Sequence, residues 1–230
     1  MCVWIEDADK LEINSAELEI VYINRSIKSY MEGSTLGLCG IKGQGKTFLI
    51  KVKRKKDESS VVSLPMNRML DTIDSSLEID KSLFRFLTDY NIWVNLWKFS
   101  LSSAIIKKNI ADVDLSPLKE ATKKLISMQN IDCAPSFYFK YLLRLNINDF
   151  RNLLQETSKL LDIIRNYHNG IHVYIDKIDQ GFSNYIKNFN EDSKTPLRSR
   201  QASFWQYSQF SLAEASYDIY TNIKIGRAHV

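Results

Sequence analysis

Apolar residues in this chain recur most regularly at spacings of three and four, the pattern of helices that bury one face. Tyr90, Trp93, Val94, Trp97, Leu101, Ala104 and Ile105 share one face of a predicted amphipathic helix, expected to pack on a sheet. Trp93 and Trp97 follow that period, so they are expected to anchor a core rather than stack on a ligand. Ser116 before Pro117 predicts an N-cap and first helical position, with Leu118, Ala121, Leu125 and Met128 as the stripe that follows. Phe150, Leu153, Leu154, Leu160, Leu161 and Ile164 give the cleanest stripe, stopped by Asn169 and Gly170. Residues 112–166 therefore read as a helical insertion or hairpin, and Phe204 to Tyr220 as a further apolar-rich helix.

Strand signals lie between these helices. Thr35 to Cys39 is short, apolar and bounded by glycines, which suits a buried parallel strand. Val61 to Leu64 is β-branched and closed by Pro65, and Ile171 to Asp176 is a strand-like run ending in a carboxylate. Asn222, Ile223 and Lys224 start what should be a last strand. Ahead of the first strand, Ser15 to Ile23 and Ser26 to Met31 have mixed helical character and form a lead-in over residues 1–32. A helix is expected to open at Lys46 and run to Val52. Lys51, Lys53, Arg54, Lys55 and Lys56 then stand at or past its C-terminus, where positive charge suits the helix dipole. A solvated helix end is the expected reading of that run; a nucleic-acid contact is the lesser alternative, because no aromatic residue interleaves with it. Asn188 to Gln201, polar and containing Pro196, is the one linker-like stretch.

With 230 residues the chain can bury one sizeable core, and its formal charge of +4 is too small and too dispersed to argue for a nucleic-acid partner by itself. Cys2, Cys39 and Cys133 are far apart and odd in number, which suggests neither a disulfide framework nor a zinc site and fits a reducing cytoplasm. No apolar run approaches the roughly 18 to 20 residues that span a bilayer, so no membrane partner is expected. The hexapeptide Ile225 to Val230, IGRAHV, is what translation yields when a read runs into a widely used sequencing adapter. Residues 225–230 are therefore expected to be foreign, the reading frame to be truncated, and Arg227 and His229 to carry no function.

Chemistry concentrates at Gly40, Ile41, Lys42, Gly43, Gln44, Gly45, Lys46 and Thr47, which fit G-x-x-x-x-G-K-[ST] at every fixed position. Glycines let backbone N–H groups curl around phosphate oxygens without a Cβ in the way, and a following helix N-terminus favours the anion. Lys46 should reach the β and γ phosphates of a nucleoside triphosphate, and Thr47 should give its hydroxyl to Mg²⁺. A predicted strand before the loop and a predicted helix after it are the context this motif requires. Asp176, at the end of the Ile171 run, would join the Mg²⁺ shell from a strand tip. His172 lies inside that run and reads as a sheet residue rather than a ligand. No guanine-reading N-K-x-D appears, which favours ATP.

The pair GIKGQGKT and HVYIDKIDQ, with FWQYSQFSLAEASYDIYTNIKI after it, resembles the AAA-related, additional-strand class of P-loop ATPases. Within that class it is most similar to the bacterial signal-transduction (STAND) and KAP-like groups, over roughly residues 33–225. The resemblance implies an α/β fold for residues 33–224: a P-loop NTPase three-layer sandwich with a mainly parallel sheet, its P-loop strand near the centre, and the helical insertion at about 112–166. It also implies ATP binding by Gly40 to Thr47 and Mg²⁺ contact from Thr47 and Asp176. Many members place a catalytic Glu directly after the aspartate, where this chain has Lys177. Asp179 would orient the attacking water instead, or else merely caps the following turn.

The leading expectation is thus an ATP-binding and ATP-hydrolysing module of a larger regulatory or signal-transduction protein, with Lys46, Asp176 and Asp179 as its catalytic residues. A protein partner or self-association would act through further domains. A non-hydrolysing nucleotide-binding scaffold is the alternative that Lys177 suggests. A small-molecule phosphotransferase with a lid around Lys194, Arg198 and Arg200 is the other.

Overall fold

The computed structural model describes residues 28, 31–32, 46–56, 61–65, 80–128, 135–166, 172–176, 206–207 and 210–221. The chain divides into two compact units, Met1–Val61 and Val62–Val230. In the first, helix α1 (Lys46–Lys56) buries Leu49 and Val52, three residues apart and so on one face. The Nζ of Lys53 donates to the carbonyl of Met31 at 3.2 Å, and the turn from Lys28 to Glu32 closes by a 2.9 Å backbone bond. Strand β1 (Val61–Pro65) follows, and later in the chain comes β2 (His172–Asp176), its hydrogen-bonded neighbour.

The rest of the described second unit is helical: α2 (Lys81–Phe86), α3 (Tyr90–Lys108), a 3-10 turn (Ile110–Asp112), α4 (Glu120–Ser127), α5 (Pro135–Leu143), α6 (Ile147–Leu154), α7 (Thr157–Asn166) and α8 (residues 210–221). Asp80 starts α2 by accepting from the backbone N–H groups of Ser82 and Leu83, and Asp89 starts α3 by accepting from Asn91. The indole N–H of Trp93 donates to the carbonyl of Leu87 at 2.7 Å, fixing the corner between these two helices.

Helix α3 is the axis of the unit. It packs most heavily on α5 and α7, with α4 and α6 also against it. From Trp93 to Ile106 it is buried on nearly every side, including Ser100, Ser102 and Ser103. A helix enclosed all round sits inside a bundle rather than on the face of a sheet. Phe139 of α5 stacks on Trp97 at 4.3 Å between ring centroids, and Leu160, Ile163 and Ile164 of α7 join the same core. Trp93 is 1% and Trp97 0% exposed, as core anchors would be.

The expectation of a three-layer α/β sandwich is overturned. The described residues are about 80% helical, and their strands form one short pair rather than a broad parallel sheet. The physical reason lies in α3. Its apolar surface, read as a single face meant for a sheet, runs round the helix and is satisfied by α4 to α7, the stretch read as an insertion. The predicted strands at Thr35 to Cys39 and from Asn222 lie outside the described residues, as does the linker at Asn188 to Gln201.

One helix boundary also differs from expectation. Ser116 does not cap a helix: its N–H and its Oγ both donate to the Asp114 carboxylate, at 2.8 and 2.7 Å, and α4 starts only at Glu120. Those two bonds hold the Asp114 carboxyl below its usual range. The long stripe from Phe150 to Ile164 is carried by two helices, α6 and α7. Between them the N–H of Glu156 tightens onto the carbonyl of Leu153 and the Thr157 hydroxyl donates to that of Leu154.

Candidate nucleotide-binding site

Lys46 and Thr47, the two side-chain donors of the glycine-rich motif, are the first two residues of α1. Both are half-buried, while Leu49 and Val52 hold the helix to its own unit. No acidic residue stands in the first turn of α1, so the positive end of its dipole is not neutralised from within. An ammonium, a hydroxyl and backbone N–H groups at a helix N-terminus are a donor set suited to phosphate oxygens. Gly40, Ile41, Lys42, Gly43, Gln44 and Gly45 lie outside the described residues.

Asp176 is the last residue of β2. The strand is held by Tyr174, 7% exposed, and by Val173, which packs against the helical core. Asp179 and Lys177 lie outside the described residues. Lys46 and Thr47 belong to the unit Met1–Val61 and Asp176 to the unit Val62–Val230. The structure therefore brings Lys46 and Thr47 together on one helix turn and sets Asp176 at a strand end, each within its own unit.

Elsewhere the helical unit carries polar contacts that sequence reasoning missed. Glu156, 1% exposed, accepts the backbone N–H of Lys119 at 2.7 Å and pairs with the Nζ of Lys159 at 3.0 Å. Burial pushes its carboxyl up, but the Lys119 bond and the Lys159 ammonium outweigh that and hold it below its ordinary value. Its one sequence signal is a lone acid between Leu153-Leu154 and Leu160-Leu161. The hydroxyl of Tyr90 donates to Glu214 of α8 at 2.7 Å; burial first, and then this carboxylate, push the phenol up to about 12. Lys98 and Asp218 pair at 2.5 Å further along the same two helices.

Among the described residues no three His, Cys, Asp or Glu side chains gather as a metal site, and no helix is long and apolar enough to cross a membrane. The crevice lined by Ile105, Ile106, Asn109, Val113, Ile163 and Ile164 is apolar and too tight to take a ligand. No family model, curated protein or solved structure matches the chain.

Proposed function

We propose that this chain binds a nucleoside triphosphate, ATP with Mg²⁺, through Gly40 to Thr47. The observation that carries the proposal is α1: a helix occupies the sequence from Lys46 onward, where the motif requires one, and its first turn has no carboxylate to compete with phosphate. Lys46 would neutralise the β and γ phosphates, and Thr47 would contact the metal that arrives with the nucleotide. Asp176, at the end of β2, would complete the metal's shell. The reading rests on the motif, α1 and β2, and takes nothing from the helical bundle around α3.

Hydrolysis belongs to the same proposal, with bound Mg²⁺ supplying charge neutralisation at the phosphates and Asp179 orienting the attacking water. The module would serve a larger regulatory protein, in a reducing cytoplasm that the cysteine usage suits. Lys177, where a carboxylate would be expected, favours one second reading, a scaffold that binds nucleotide without turnover.

The test is titration of a fluorescent ATP analogue with Mg²⁺ into the wild type and Lys46→Ala, followed by phosphate release for both and for Asp179→Asn. Binding that weakens at least tenfold in Lys46→Ala is expected. Equal binding by the two proteins would end the proposal. Binding without release beyond the Lys46→Ala background would select the scaffold.

A further inference from the structure

We draw no further inference here: the strongest candidate, the outward face of α8 on which Phe210 and Tyr217 stand exposed, is an apolar patch, and nothing in the structure shows what covers it.

Discussion

Replacing Glu156 tests whether one buried carboxylate ties the start of α4 to the junction of α6 and α7. Its side chain is enclosed, with Lys119 N–H at 2.7 Å and Lys159 Nζ at 3.0 Å as its partners. A hydrogen bond to a charged acceptor contributes about 1.5–3 kcal/mol. The Lys159 pair adds only about 0.5 kcal/mol, because the lysine is 44% exposed and screened by solvent. Glu156→Ala is therefore expected to cost about 2–3 kcal/mol. Glu156→Gln keeps an oxygen for the Lys119 N–H and sheds the cost of burying charge, so about 1 kcal/mol is expected. The carboxyl is held below its ordinary value of 4.5 in the folded protein. Its contribution is then complete above that value and is lost as pH falls through the lower, folded-state value. The wild type should lead Glu156→Gln at neutral pH and lose that lead under acid. Urea unfolding followed by tryptophan fluorescence, from neutral pH down through the carboxylate range, measures both effects. A cost for Glu156→Ala within about 0.5 kcal/mol of zero, the range of an unconnected surface change, would refute the reasoning. So would a lead that grows as pH falls.

Trp97→Ala removes a fully buried indole stacked on Phe139 and should cost about 3–5 kcal/mol in the same urea assay, against less for Trp97→Phe. Tyr90 can be titrated through its phenolate absorbance. The wild type minus Tyr90→Phe difference should have its midpoint near about 12 rather than near 10. Because the folded-state value is raised, Tyr90's contribution should be whole below pH 10 and fade as pH climbs through about 12, a fade absent from Tyr90→Phe. Lys98→Met removes a partly exposed ion pair with Asp218, so the loss of stability should be about 1 kcal/mol or less. Hydrogen exchange should nevertheless quicken in residues 210–221 more than in α5.

Several helices were legible because their signals are local. The stripe beginning at Tyr90 and those at Phe150 and Leu160 appear as α3, α6 and α7, and the helix opening at Lys46 appears as α1. The boundary that failed depends on a competing bond and on a contact distant in sequence. Nothing near Ser116 announces that Asp114 will occupy its hydroxyl, or that Glu156, 37 residues on, will meet the N–H of Lys119. α5 lies inside the stretch read as helical but was not singled out as a helix of its own, because Phe137, Tyr138, Phe139 and Tyr141 crowd together and obscure the period, although Phe139 is a main partner of α3. The same cause produced the error in fold class. A reading by periodicity finds the strongest face of α3 and supplies a sheet to cover it, while Leu96, Phe99 and Ile106, off that face, are buried as deeply.

The candidate site divides in the same way. A glycine-rich phosphate motif is contiguous, so its residues and the helix that must follow can be read from one short stretch, and Lys46 and Thr47 do stand at the start of α1. Asp176 is different in kind. Its strand could be read from Ile171 to Ile175, yet the pairing of β2 with β1 joins segments more than a hundred residues apart, and an alternating pattern does not specify such a partner. Charge on α1 falls between these cases. Composition assigns all five cations after Ile50 to a solvated helix end, but the bond from Lys53 to Met31 takes one of them into the fold.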